Sequence, residues 1–151
     1  MVIATTIWDS LCRHIENRGT TVTEPILTSL YAAPLALMYI VLAARVVNLR
    51  TSEQVSLGTG ESEALLRATR IHGNFSEYVP FTLLLMALAE MGGAWPWLIH
   101  GLGLALIAGR LLHAYSIPRG MKALRFRVAG MALTFAALAA GAVASAAFAL
   151  F

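Results

Sequence analysis

Arg67, Arg70, Asn74, Glu77 and Tyr78 lie in one run, RATRIHGNFSEYVP over residues 67–80, which leads straight into the apolar stretch FTLLLMALA. Guanidinium, amide, carboxylate and phenol together can grip a small zwitterion that carries carboxylates and an amine. The arginines suit carboxylates through paired N–H donors, and the glutamate suits an ammonium. The spacing supports a shared site. At about 100° per residue, Arg67, Arg70, Asn74 and Glu77 fall within an arc of roughly 80°, which Tyr78 widens slightly. Charge in hydrocarbon is costly, so such residues on a spanning helix are rare and usually mark a site. A second reading stays open. Glu77 and an arginine can form a structural ion pair between helices, and arginines near helix ends can snorkel to lipid phosphates.

The elements that position these groups follow from composition. Only 13% of the 151 residues are charged, about half the share usual for a soluble domain. Four apolar stretches run over about Ile26–Val47, Ala64–Met91, Trp97–Tyr115 and Val128–Leu150, each near the roughly 20 residues that span a bilayer as a helix. The second is the longest, and its first turns, carrying Arg67 and Arg70, reach toward the headgroups. The fold class is therefore all-α, an integral membrane four-helix bundle over residues 23–151, with no separate soluble domain. Met86 and Met91 are apolar fillers, and His72 projects away from the polar stripe.

Topology follows from the connections. Between the first two spans lies the polar VNLRTSEQVSLGTGESE. Between spans two and three there is only GGAWP, and between three and four the basic SIPRGMKALRFR. An up-down-up-down path places the first and third connections on one side, which collects every lysine and arginine except Arg13 and Arg18. The positive-inside rule puts that side in the cytoplasm, with Trp95 and Trp97 as interfacial anchors on the other. Glu90 and His100 read as interfacial there. The positive charge reflects topology and an anionic ligand, and no nucleic-acid partner is expected.

Each span delivers cationic or hydrogen-bonding groups to one layer at cytoplasmic depth. Span one ends with Arg45 and Arg50. Span three ends GRLLHAYSIPR, with Arg110 and His113 as helical neighbours. Span four opens with Arg125 and Arg127. Glu77 is the one deep carboxylate there. For packing, Gly101, Ala105 and Gly109 form a small-residue ridge on span three, and Ala137, Gly141, Ser145 and Ala149 form another on span four. The four histidines are scattered, so no metal site is expected. The lone Cys12 excludes an intrachain disulfide. Residues 1–22 do not read as a signal peptide. Two readings of them remain: a short interfacial helix with Ile7, Trp8 and Leu11 on one side, or an extension from an upstream start codon.

The run R-x-x-x-N-x-x-E-Y-x-P, here Arg70, Asn74, Glu77, Tyr78 and Pro80, resembles the signature of the MAPEG family, the membrane-associated proteins in eicosanoid and glutathione metabolism. HGNFSEYVP, GRLLHAY and RFRVAG resemble its small bacterial members, and the likeness covers about residues 24–150. It implies a homotrimer in a bacterial inner membrane, with glutathione bound as co-substrate between protomers near the cytoplasmic side. By motif, Arg67, Arg70, Asn74, Glu77 and Tyr78 would hold the tripeptide, and Arg50 or Arg45 would reach a carboxylate from a neighbour. His113 matches a site position on span three. Arg127, with Arg125 as the rival, matches the arginine that activates the thiol. Catalytic relatives carry a tyrosine four residues after the His113 position, where this chain has Ile117. Tyr115 can substitute only where the helix has already ended.

These implications agree with the chemistry of the residues. A free thiol titrates near pH 8.5, and a guanidinium in hydrogen-bonding range favours the thiolate. A lipophilic small-molecule electrophile would arrive from the membrane lipids. The expected activity is therefore that of a glutathione-dependent membrane transferase or peroxidase. The alternative is a non-catalytic lipid- or peptide-binding module of the same fold. A transporter subunit fits less well, because broken helices and an internal repeat are missing.

Overall fold

The computed structural model describes residues 24–150. The expected leader at residues 1–22, with Ile7, Trp8, Leu11 and Cys12, lies outside them. Four long helices follow one another: α1 (Ile26–Ser52), α2 (Glu63–Met91), α3 (Pro96–Ser116) and α4 (Leu124–Leu150), with a 3-10 helix at Ile117–Ala123 between the last two. The protein is an all-helical membrane bundle. Three stretches, Ile26–Ser52, Pro96–Ser116 and Met121–Leu150, are long and apolar enough to cross a membrane. Helix α2 is long enough at 29 residues, but Arg67, Arg70, Glu77 and Glu90 dilute its apolar character.

Local chemistry sets the helix ends. Ser62 caps α2 by accepting the Leu65 N–H at 3.2 Å, and Glu63 pairs with Arg67 one turn on. Negative charge is favourable at that end of a helix. At the other end Gly93 adopts φ 91°, a conformation L side chains rarely reach, and Pro96 opens α3. Helix α4 begins at Leu124, earlier than the hydropathy alone indicates. Arg125 and Arg127 lower the hydropathy there, but the 3-10 helix feeds the chain into α4 without a break.

The start of α1 has no side-chain cap of its own. Glu90 of α2 supplies the acceptors instead. Its two carboxylate oxygens take the Leu27 N–H at 2.7 Å and the Thr28 N–H at 2.8 Å. Glu90 is therefore only 7% exposed and is a buried crossbrace, not the interfacial residue expected. Nearby, His100 Nδ1 and the Tyr31 hydroxyl share a hydrogen bond of 2.7 Å.

Small residues set the closest helix approach, along the expected ridges only at Gly109, Ala137 and Gly141. Gly101 faces open space, whereas a Cβ on Gly103 would enter the Tyr31 ring. The tight seam joins α3 to α4. A Cβ on Gly130 would stand 2.7 Å from the Gly109 carbonyl oxygen and 2.8 Å from the His113 nitrogen. On α4 the buried residues are Gly130, Thr134, Ala137, Gly141 and Ala144, alternating four and three apart. A strict four-residue ridge drifts around the helix by about 40° per step, so Ser145 and Ala149 leave the interface. Outside the core, Leu37, Ile40, Leu84, Leu104, Val128 and Val143 are exposed, as a lipid-facing surface requires.

Candidate functional site

The beginning of α2, the end of α3 and the beginning of α4 meet around a cavity of about 560 Å³. Its walls carry Thr59, Leu66, Thr69, Arg70, Gly73, Asn74, Glu77, His113, Ile117 and Arg127. Arg70, Asn74, Glu77, His113 and Arg127, expected as site residues from five positions on three helices, are thus brought together. Helix periodicity explains the α2 wall. Leu66, Arg70, Gly73 and Glu77 recur at four- and three-residue steps and share a face.

The ionic groups of this wall are not consumed by the fold. Arg70, Glu77 and Arg127 make no hydrogen bond or ion pair with any other described residue. The structural pairing of Glu77 with an arginine, left open by the sequence, is not formed among the described residues. The Thr69 hydroxyl is buried without a partner at the same wall. One carboxylate, two guanidiniums and an amide therefore converge on a volume within the roughly 300–1,000 Å³ usual for small-ligand sites.

A second recess adjoins the first. It measures about 490 Å³ and is lined by Asn74, His113, Leu124, Arg127, Val128, Met131, Ala132 and Phe135. Asn74, His113 and Arg127 belong to both, so the polar cavity and the apolar groove meet at these three residues. Arg67 lies to the other side, in a recess with Leu66, Arg70, Ile117 and Arg127. Its guanidinium pairs with Glu63.

Besides Arg67, three expected site residues stand outside the cavity. Tyr78 packs edge-on against Phe135 at 5.3 Å. Arg50 donates to the carbonyl of Gly58 at 2.9 Å and reaches that of Ser56 at 3.5 Å, so it pins the α1–α2 loop that presents Thr59 to the cavity. Tyr115 is 49% exposed, and Arg119 lies 3.7 Å over its ring. The reason is continuity of the backbone. Helix α3 runs to Ser116 and passes into the 3-10 helix, so Tyr115 stays turned away and Ile117 faces the cavity. The same continuity separates the two candidate activators. With α4 begun at Leu124, Arg125 and Arg127 diverge by about 160°. Arg127 lines the cavity, while Arg125 is exposed beside the Phe126 ring.

The sequence reading set Arg110 beside His113 in the cytoplasmic layer but gave it no role toward the ligand. It is 1% exposed and forms the back of the wall. Its Nη1 donates to Asn74 Oδ1 at 2.6 Å and its Nη2 donates to Thr134 Oγ1. An arginine inside the apolar third span, three residues before His113, was the available signal.

Residues 28–147 match the family model of the MAPEG family. The chain belongs to the MAPEG family. It is also 40% identical, over 111 residues, to the inner membrane protein YecN of Escherichia coli strain K12, across 74% of this chain and 83% of that protein. YecN of Escherichia coli O6:H1 strain CFT073 matches to the same extent. The family resemblance carried by Arg70, Asn74, Glu77, Tyr78 and Pro80 is thereby borne out, as is membership of the membrane-protein class. The cavity of this chain is built on α2, α3 and α4, and its exposed groups Arg70 and Glu77 on α2 border the surface of the chain.

Proposed function

We propose that this MAPEG protein is a glutathione-dependent transferase or peroxidase that acts on lipophilic electrophiles. One observation supports this most strongly: Arg70, Glu77 and Arg127 share one cavity without internal partners, and that cavity opens onto an apolar groove at Asn74, His113 and Arg127. Glutathione supplies a nucleophilic thiol, two carboxylates and an ammonium. Arg70 holds a carboxylate through paired donors, Glu77 takes the ammonium, and Asn74 hydrogen-bonds the backbone of the tripeptide. Arg127 stands at the junction of cavity and groove and stabilises the thiolate there. The apolar wall of Val128, Met131, Ala132 and Phe135 positions the electrophile. Chemistry of this kind needs orientation and charge stabilisation more than a strong base.

The site lies toward the cytoplasm of a bacterial inner membrane, in keeping with the basic connections and with the name of the YecN relative. A homotrimer completes it. Arg70 and Glu77 are exposed at the edge of the protomer, and charge facing lipid is unfavourable. A neighbour that covers α2 removes that penalty. Arg50 is engaged with its own loop, so the better candidate to reach across is Arg45, which is exposed on α1 beside Asn48 and Ser52.

Ile117 favours one second reading, a non-catalytic lipid- or peptide-binding module. It lines the cavity where catalytic relatives are expected to carry a hydroxyl. Titration with glutathione, thiolate absorbance near neutral pH and conjugation of a lipophilic aryl halide separate the two. All three signals are expected. Binding without thiolate and without conjugation would transfer the protein to the second reading, and absence of binding would overturn the glutathione assignment.

A further inference from the structure

Arg110 is a buried cation held only by neutral groups. Among the described residues its hydrogen-bond partners are Asn74 Oδ1, the Asn74 backbone carbonyl at 3.5 Å and Thr134 Oγ1, with Met131 Sδ at 3.6 Å from Nη2. Its Nε is buried and has no partner. The Thr134 hydroxyl donates to the Gly130 carbonyl at 2.9 Å, so its lone pairs are what it offers to Arg110. The seam is built to allow this. A Cβ on Gly109 would stand 2.7 Å from Thr134 Oγ1, so only glycine there lets Thr134 reach the guanidinium.

A guanidinium has donors and no acceptor. It can therefore meet the Asn74 side chain only through Oδ1. An amide so held cannot turn over, and its Nδ2 donors have no hydrogen-bond partner among the described residues. Asn74 itself stands where the polar cavity meets the apolar groove. We infer that Arg110 is a positioning residue that locks Asn74 with its two amide donors facing the cavity, so that this point of the site reads a carboxylate, carbonyl or thiolate acceptor of the ligand. Arg70, Arg127 and Asn74 then all donate, and Glu77 is the sole carboxylate acceptor of the wall. The inference rests on the glutathione reading for the identity of the ligand, while the amide orientation itself stands without it.

The test uses full-length protein in lipid nanodiscs. Arg110→Lys keeps a donor-only partner for Asn74. Arg110→Gln introduces an acceptor and frees the amide to turn over. Asn74→Asp keeps the acceptor toward Arg110 but removes both donors toward the cavity. Titration with glutathione is expected to show Arg110→Lys within a few-fold of wild type. Arg110→Gln and Asn74→Asp should each bind roughly tenfold more weakly or worse, the size of a lost charge-assisted hydrogen bond. The thermal midpoint of Asn74→Asp should not fall below wild type, because its contact with Arg110 gains charge. Nitrogen-15 side-chain amide signals of Asn74, assigned by their loss in Asn74→Asp, should be sharp and singular in wild type and broadened or doubled in Arg110→Gln, with or without ligand. Failure of wild type to bind glutathione would sink the ligand reading alone. Doubled amide signals in wild type would overturn the locked orientation, as would wild-type affinity in Asn74→Asp. Equal loss of affinity and midpoint in Arg110→Lys and Arg110→Gln would reduce Arg110 to a structural role. Should Arg110→Gln fail to fold, the Lys and Asp variants and the wild-type spectrum still decide.

Discussion

Glu77 and Glu90 sit on the same helix and have opposite fates. Glu90 is buried with both carboxylate oxygens committed to the first N–H groups of α1. Glu77 is exposed to a cavity and has no internal partner. The contrast extends to the two ends of the bundle. At the end with the α2–α3 turn, Glu90 and the Tyr31–His100 pair close onto protein groups. At the other end Arg70, Glu77 and Arg127 converge and stay unmatched. A polar residue in a membrane helix is expensive in either case. Whether it serves the fold or a ligand is decided by where its hydrogen bonds go.

The largest expected effect falls on Arg127, at the open end. Arg127→Ala should lower conjugation about a hundredfold or more, the scale of one lost charge-stabilising group, and abolish thiolate absorbance near neutral pH. Most glutathione binding should remain, because the carboxylates and ammonium keep their partners. Arg125→Ala should leave the thiolate signal intact, since Arg125 lies against Phe126 away from the cavity. Equal loss in both variants would mean that diffuse charge, not a formed site, stabilises the sulfur.

The next test sets the two glutamates against each other. Glu77→Gln should weaken glutathione binding roughly tenfold through a lost charge-assisted contact, with the thermal midpoint unchanged. Arg70→Ala should behave alike. Arg119→Ala, which removes an exposed cation of the 3-10 helix over Tyr115 and its hydrogen bond to the Tyr115 carbonyl, should leave binding within about twofold. Glu90→Gln should do the reverse. One carboxylate acceptor becomes an amide donor facing an N–H, so stability should fall by about 2 kcal/mol while affinity per folded molecule stays the same. Calorimetric titration paired with thermal unfolding checks both. A stability loss at Glu77 and a binding loss at Glu90 would break the division between the ends.

How far the sequence could be read also differs between the ends. The helical repeat alone brought Arg70, Asn74 and Glu77 onto one face, and the family likeness added His113 and Arg127. The rotation of α2 against its neighbours was not legible. The cavity-facing arc, from Thr69 through Gly73 to Asn74, is turned by about 50° from the polar stripe, which drops Tyr78 and admits Leu66, Thr69 and Gly73. Leu66 and Gly73 were invisible to a search for polar types, and Thr69 lies at the edge of the arc farthest from the polar stripe. At the closed end, Glu90 was misread as interfacial because its partners are backbone groups of α1. Pro25 and the uncapped first turn of α1 left N–H donors in need of an acceptor, but only tertiary packing shows which carboxylate answers. The engagement of Arg50 with its own loop was not legible for a similar reason, since its acceptors are carbonyls of a loop whose path depends on the left-handed Gly58 and Gly60.

The smallest expected effect concerns the apolar spot within the open end. Ile117 lines the cavity beside His113 and Arg127, whereas Tyr115 is covered by Arg119 on the outer face. Ile117→Tyr places a phenol where a ligand sulfur bound by Arg127 would meet it. A second donor adds to a charge already stabilised by a guanidinium, so a gain of only a few-fold in conjugation is expected, less than a full charge-assisted bond. The thiolate absorbance should extend to lower pH, because a donor to the anionic sulfur favours it further. Tyr115→Phe should change neither quantity, since the Tyr115 side chain is not part of the cavity. Loss of activity in Tyr115→Phe, with no response to Ile117→Tyr, would mean that the end of α3 unwinds when ligand binds and turns Tyr115 inward. The open end would then be assembled by the ligand, and the contrast with the closed end would be one of rigidity as well as of partners.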